Sequence, residues 1–136
     1  MKSGKLPDYK EKQKIIYSSQ ASRESLIKYG DDFFENKRYD DAVDFYEKAN
    51  YGEGLQEIAN LAVEEGDLFL YKRVYRILGI EQISPDIANE IGLKAQDLGK
   101  YFFARKAFEI AGNQDMLNKL TANSEGEDFF KIANKI

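Results

Sequence analysis

The side chains of this sequence that can perform acid–base chemistry include carboxylates that stand next to one another along the chain. They occur as the pairs Asp31-Asp32, Asp40-Asp41 and Glu64-Glu65. A general acid and a general base must converge on one substrate, whereas adjacent residues of a helix point to different sides of it. The spacing of these acids therefore does not predict a paired catalytic site.

Histidine and cysteine are both absent from the 136 residues. Their absence removes the commonest general base near neutral pH, the commonest metal ligand, the thiolate nucleophile and any disulfide. A lone Gly52-x-Gly54 is too weak to predict phosphate binding, and no P-loop or HExxH pattern occurs. We therefore expect a protein that is not an enzyme, with no catalytic residues, no metal site and no cofactor. A site built from acids alone is the enzymatic alternative that remains.

The charge balance narrows the classes of partner. The chain has 20 Lys and Arg against 24 Asp and Glu, which gives a net charge of −4. A negative surface repels the phosphates of nucleic acids and of anionic membranes, so we expect neither as a partner. No stretch approaches the roughly 20 apolar residues of a membrane span, and no secretory signal is visible. These features predict a cytoplasmic protein.

The elements that must position any binding residues are predicted to be helices. Apolar residues recur at helical spacing, and the two prolines both stand where a helix can begin. Ser84, Pro85 and Asp86 provide an N-cap, a first-turn proline and an acid at the positive end of the helix dipole. Gly52 and Gly54 are expected to separate the third helix from the fourth. The predicted helices span about 8–19, 22–36, 39–50, 53–65, 68–79, 85–98, 101–111, 113–121 and 125–134.

A helix–turn–helix pattern occurs three times, over residues 27–50, 57–79 and 89–113. Each copy ends in a small residue or Leu followed by Gly or Asn, and equivalent positions of the copies, such as Gly30, Ala59 and Gly92, are spaced by 29 and then 33 residues. One hairpin of this kind cannot bury its apolar face alone, so neighbouring copies are expected to stack.

These copies resemble the tetratricopeptide repeat. The first copy supplies Gly30, Phe33, Lys37, Tyr39, Ala42, Tyr46 and Ala49 at the family's characteristic positions. The third supplies Gly92, Ala95, Gly99, Tyr101, Ala104, Phe108 and Ala111, and the second Ala59, Ala62, Gly66, Leu68, Tyr71, Tyr75 and Leu78. The second copy departs from the pattern at Tyr71, where the family has Ala, and the usual spacing of about 34 residues is not kept. A related α-solenoid is the alternative.

The resemblance implies an all-α fold, a right-handed stack of antiparallel helix pairs (a TPR-like α-solenoid). It would have about three hairpins with flanking N- and C-terminal helices. Residues 1–6 are predicted to be a disordered leader, residues 7–122 the helical repeat domain, and residues 123–136 a C-terminal capping helix.

The recurring side chains are interpreted as packing residues. Small residues let the two helices of a hairpin approach closely, and aromatic residues at helical spacing line one face. Ala42 and Ala104 are therefore predicted to lie in tight contacts. The aromatic residues predicted to lie in the core or between helices are Tyr39, Tyr46, Tyr75, Tyr101 and Phe108.

In the family, the first helix of each pair lines a groove that binds peptides. The resemblance assigns to this groove Glu24, Ile27, Asp31, Phe34, Glu35, Glu53, Asn60, Glu64, Asp86, Asn89, Leu93 and Asp97. Seven of these residues are acidic and none is basic, so the favoured function is a protein–protein interaction scaffold or adaptor that binds a basic peptide or protein segment. Without a basic groove residue to hold a peptide carboxylate, binding of chaperone C-termini is not expected.

Two other interpretations stay open at this point. The acids are also what an ordinary solvated helix surface carries. The chain is alternatively a structural subunit that self-associates, or packs in a larger assembly, through the open ends of its solenoid. As an adaptor it is expected to be a monomer or a weak homo-oligomer, and light scattering would separate the two functions.

Overall fold

The computed structural model describes residues 5–122, which form eight α-helices and no strand. They are α1 (Tyr9–Ile16), α2 (Arg23–Glu35), α3 (Tyr39–Lys48), α4 (Gly52–Glu64), α5 (Leu68–Ile77), α6 (Pro85–Asp97), α7 (Tyr101–Ala111) and α8 (Gln114–Ala122). The all-α prediction is confirmed, with helix ends within three residues of those predicted. Within the described range, no helix has the length and apolar character needed to cross a membrane. The predicted capping helix and residues 1–4 of the predicted leader lie outside the described residues.

The chain divides into two compact units, residues 1–58 and 59–136, and the division falls within α4. In the first unit, α2 packs against α3, and α1 lies on α3. In the second unit, α6 packs against α7, which also contacts α5 and α8. Packed helix pairs are therefore present in each unit, while the right-handed stack of all pairs stays a prediction.

Side-chain caps determine where several helices begin. Ser84 Oγ accepts a hydrogen bond from the backbone N–H of Ile87 at 3.2 Å, as the Ser-Pro-Asp pattern predicts. Ser22 caps α2 in the same way. At α1, Asp8 and Glu11 form a capping box in which each side chain accepts from the other's backbone N–H. Such bonds satisfy amides that have no partner inside the helix, so short-range sequence suffices to start these helices.

Six successive helices, α2 to α7, end in the same backbone motif. A residue with positive φ follows each of them: Lys37, Asn50, Gly66, Gly79, Gly99 and Gly112. At Gly66, for example, the N–H donates to the Val63 carbonyl at 3.1 Å and the next N–H, of Asp67, donates to the Ala62 carbonyl at 2.8 Å. This is the Schellman arrangement. The left-handed residues recur at spacings of 29 and then 33, both within and between helix pairs, so the predicted repeat is also a repeat of backbone conformation.

The boundary between α3 and α4 corrects one expectation. Gly52 and Gly54 do not separate the two helices, because both lie inside α4. Asn50, with φ of 54°, ends α3 instead. Asparagine tolerates the left-handed region better than most residues, which is why no glycine is needed there.

Lys37 occupies the turn position that glycine occupies in the other two helix pairs, with φ of 61°. We expect Lys37→Gly to raise the free energy of unfolding by about 0.5–1 kcal/mol. The left-handed strain it relieves is ~1–2 kcal/mol, and the added freedom of glycine in the unfolded chain offsets part of that. Urea unfolding followed by circular dichroism measures the change. The matched control is Lys28→Gly in the exposed middle of α2, which should lower stability by about 1 kcal/mol; two effects of the same sign would contradict the turn assignment.

The N-terminal helix α1 has no fully buried residue, and ion pairs contribute to its attachment to α3. Lys12 Nζ donates to Asp41 Oδ1 at 2.6 Å and to Asp44 Oδ2 at 2.5 Å, both on α3. Burial alone would lower the pKa of Lys12, but the hydrogen bonds and the two negative charges outweigh it and raise that pKa. The helix therefore joins the first unit through partly buried ion pairs as well as through its half-buried isoleucines.

Four of the seven predicted packing residues are buried, two are half-buried and one is exposed. Ala42 and Ala104 are fully buried, as are Tyr46 and Phe108. Tyr39 and Tyr75 are half-buried. Tyr101 is 39% exposed, which corrects its assignment to the core. It is the first residue of α7, where the neighbouring Phe103 and Ala104 take the inward side of the helix.

Tyr71, which stands where the family has alanine, is buried in the second unit with 1% of its surface exposed. Its ring stacks on that of Tyr75 with centroids 4.3 Å apart. Burial, and then the neighbouring Tyr75 hydroxyl, raise the pKa of Tyr71 above its ordinary value. The second helix pair thus fills this position with a tyrosine whose ring stacks on another ring of its own helix.

Candidate interaction surface

The twelve residues assigned to the groove are all accessible to solvent, on α2, α4 and α6. The first unit contains Glu24, Ile27, Asp31, Phe34, Glu35 and Glu53, and the second contains Asn60, Glu64, Asp86, Asn89, Leu93 and Asp97. Each unit therefore presents half of the predicted set. That the two halves line one groove stays a prediction.

In the first unit, a buried tyrosine orients one of the exposed carboxylates. The hydroxyl of Tyr46 donates a hydrogen bond to Asp31 Oδ1 at 2.6 Å. Tyr46 is 3% exposed, whereas Asp31 lies on the surface of α2. Burial, the bond to Asp31, and the negative charges of Asp31 and Glu57 all raise the pKa of Tyr46 above its ordinary value. The phenol therefore stays protonated at physiological pH and keeps donating to the carboxylate.

Two glycines enclose the ring of Tyr46. A Cβ atom added to Gly30 on α2 would lie 2.5 Å from Tyr46 Cε1, and one added to Gly54 on α4 would lie 2.8 Å from Tyr46 Cε2. The ring of Tyr51 adds an edge-to-face contact at 5.3 Å between centroids. Because real Cβ atoms do not approach so closely, only glycine fits at either position, and the tyrosine has little freedom to move.

Glu57 is a residue of this surface that the family positions missed. It is exposed on α4, and its charge contributes to the raised pKa of Tyr46, so it lies near the same phenol as Asp31. A signal was present in the sequence, since Glu57 stands one helical turn after Glu53, which the family positions did include. We call the exposed carboxylates of α2 and α4 in the first unit the acidic surface; they are Glu24, Asp31, Glu35, Glu53 and Glu57.

Two cations stand beside these acids on α2. Arg23 Nε donates to the Ala49 carbonyl at 2.9 Å, and its guanidinium lies over the ring of Tyr51 at 5.7 Å, which directs it to the turn between α3 and α4. Lys28 is exposed. Five carboxylates against two cations leave the acidic surface with an excess of negative charge, which favours cationic ligands.

Other predicted groove residues contact their own unit. The ring of Phe34 meets Tyr39 edge to face at 5.5 Å, so it packs within its helix pair. In the second unit, Asn89 Oδ1 accepts a hydrogen bond from Asn113 Nδ2 at 2.9 Å. Leu93 is 49% exposed on α6. These side chains therefore differ in how freely a ligand can reach them.

The chemistry available at the acidic surface is binding. Oriented carboxylates accept charge-assisted hydrogen bonds from Lys and Arg side chains, which are roughly twice as strong as neutral ones. In the part of the chain that the structure describes, no group of three or more acidic side chains is placed to hold a metal ion.

Comparisons with known protein families, with curated proteins and with solved structures find no match to this chain, so its membership of a family stays a prediction.

Proposed function

We propose that this protein is a protein–protein interaction adaptor whose acidic surface binds a basic peptide or protein segment. The observation that carries the proposal is the hydrogen bond from the buried Tyr46 hydroxyl to the exposed Asp31 carboxylate. This bond orients one acceptor at the surface, and the charge of a second carboxylate, that of Glu57, also acts on the same phenol.

Pre-organisation is what separates this arrangement from a scatter of surface acids. An acidic side chain that is free in solution loses rotamer freedom when it binds, and that loss reduces affinity. Tyr46 has already ordered Asp31 before any partner arrives, so less freedom is lost on binding. A Lys or Arg side chain that reaches Asp31 therefore gains a charge-assisted hydrogen bond at a smaller entropic cost.

The second unit presents acids of the same kind. Glu64, Asp86 and Asp97 are exposed at positions that the family resemblance assigns to the groove. The acids of both units thus favour a positively charged partner. Screening limits the field to about 8 Å at physiological salt, so the basic segment must contact the acids directly.

The test uses a fluorescently labelled Lys- and Arg-rich peptide, with its Glu-substituted counterpart as the control ligand, and fluorescence anisotropy. We expect binding of the basic peptide only, weakening as salt rises. Reversing Asp31 and Glu64 to Lys should weaken it by about tenfold, because each exposed charge pair is worth about 0.2–1 kcal/mol and each reversal replaces an attraction by a repulsion. Reversing Glu47 and Glu109, which lie on α3 and α7, should have a smaller effect. Equal effects, or binding that ignores salt, would mean that the acids are an ordinary solvated helix surface.

Tyr46→Phe tests the orienting hydrogen bond by itself. The ring stays between Gly30 and Gly54 while the donor to Asp31 is lost. We expect a loss of peptide affinity of a few fold, on the order of one neutral hydrogen bond, with unchanged helical content by circular dichroism. Full affinity in this variant would contradict the role given to Tyr46.

A further inference from the structure

The second unit carries an exposed aromatic surface on α5 and α7. The ring of Phe69 lies 4.9 Å from that of Phe103 and 6.3 Å from that of Phe102. Phe69 is 51% exposed and Phe102 is 59% exposed. Single exposed apolar side chains are common, whereas a contiguous patch of them marks an interaction surface. We call Phe69, Phe102 and Phe103 the phenylalanine cluster.

Cations lie beside the phenylalanine cluster. Lys106 Nζ stands over the ring of Phe102, 5.6 Å from its centroid, and forms an ion pair with Glu109 at 3.8 Å. Lys72 is exposed on α5, one helical turn after Phe69 and so on the same side of that helix. A segment that covers the cluster must therefore place aromatic or aliphatic side chains on the rings and tolerate, or prefer, acids next to them.

The chain itself contains such a segment. Residues 123–136, which follow α8, carry the acids Glu125, Glu127 and Asp128 directly before Phe129 and Phe130. The acids are opposite in charge to Lys72 and Lys106, and the two phenylalanines are apolar aromatic side chains like those of the phenylalanine cluster.

The end of α8 also lies close to the phenylalanine cluster. Leu120, near the last residue of α8, is buried in a core cluster with Ala104, and Phe103 packs against that same core cluster. Phe129 stands seven positions after Ala122. An extended chain of that length spans at most about 23–25 Å. Phe102 is only two positions from Ala104 on α7, so the segment is long enough to reach from the end of α8 to the exposed ring of Phe102.

We propose that residues 123–136 bind the phenylalanine cluster of the same molecule, with Phe129 and Phe130 covering Phe69 and Phe102 and the preceding acids facing Lys72 and Lys106. This intramolecular contact is independent of the acidic surface and of the partner proposed for it. It closes an apolar face that would otherwise be open to a second copy of the chain.

The absence of tryptophan from the sequence allows a direct test in the full-length protein. Phe130→Trp introduces a single indole whose emission reports its exposure. We expect emission at shorter wavelength than that of a free indole in water, unchanged across a wide dilution series. Adding Phe69→Ser and Phe102→Ser should shift the emission to longer wavelength, because the half-exposed rings that cover the indole are gone while the fold is retained.

The matched control is Leu93→Ser on α6, which removes an apolar side chain of similar exposure, 49%, outside the cluster and should leave the emission unchanged. Circular dichroism confirms that each variant is folded. Emission typical of an exposed indole, or emission that ignores the Phe69 and Phe102 substitutions, would overturn the proposal. A short-wavelength emission that is lost on dilution, together with a dimer in light scattering, would overturn it in favour of binding between two copies.

Discussion

Gly66→Ala should lower the free energy of unfolding by about 1.5–4 kcal/mol, the largest effect that we expect from a single methyl group in this protein. Gly66 has φ of 63°, where the strain of an alanine, less the freedom that glycine has in the unfolded chain, costs about 0.5–1 kcal/mol net. The new Cβ would also lie 2.5 Å from the Cα and N atoms of Ala95. Backbone atoms cannot rotate away as a side chain can, so α6 would have to shift, and overpacking of this kind costs ~1–3 kcal/mol. Urea unfolding followed by circular dichroism measures the loss.

Gly99→Ala separates the two contributions. Gly99 has φ of 76° in the corresponding turn of the next helix pair, but no described atom lies within 4 Å of its Cβ position. Its substitution should therefore cost only the net strain of about 0.5–1 kcal/mol, the reverse of the gain expected from Lys37→Gly. If both variants lose the same stability, the turn that contains Gly66 does not rest on α6 in solution.

A hydrogen bond next to Gly66 also stabilises the turn between α4 and α5 in the second unit. Lys100 Nζ donates a hydrogen bond to the Glu65 carbonyl at 2.7 Å. Two interactions thus hold the turn between α4 and α5. The backbone of Gly66 approaches that of Ala95 on α6, and Lys100, which follows α6, binds the carbonyl of the preceding residue, Glu65. Displacing the turn breaks both interactions together, so the two losses are coupled.

Ala104→Leu should produce the second large effect. Ala104 is fully buried in the cluster that contains Ala95, Phe108 and Leu120. Three additional carbons at this position force neighbouring side chains out of their rotamers, at a cost of ~1–3 kcal/mol. Since 1 kcal/mol corresponds to roughly 2–8 °C for domains of 60–250 residues, the melting temperature should fall by several degrees.

The matched control is Ala111→Leu at the end of the same helix, where the residue is only half-buried. It makes the same substitution without a closed cavity around it and should change the melting temperature less. Unchanged stability in Ala104→Leu would show that the repeat register assigned to residues 89–113 is wrong.

Much of the helical framework was predictable from the sequence because it depends on contacts between near neighbours. Ser84 and Pro85 start α6 through a hydrogen bond that spans three residues. Gly66 and Gly99 end their helices through bonds that span at most five residues, and glycine is the residue that the left-handed turn prefers. The spacing of the repeats followed from the same residues. Lys37 shows the limit of such reasoning, because its turn forms without the preferred glycine.

The acidic surface was predictable only in part. Asp31 and Glu53 were assigned by the family positions and are exposed, as expected. Glu57 was not assigned, and neither was the bond between Asp31 and Tyr46. Gly54 was interpreted as a turn residue, yet it lies inside α4, and the glycine there makes room for the rings of Tyr46 and Tyr51.

The sequence by itself thus determined the helices, their caps and the repeated turns, since these depend on residues within about five positions of one another. The tertiary structure decided which side chains meet across helices. It placed Tyr46 between Gly30 and Gly54, and it left Phe69 and Phe102 together at the surface. The physical reason is that a helix face shows its periodicity in the sequence, whereas the rotation and spacing of one helix against another depend on the packing of all the side chains between them.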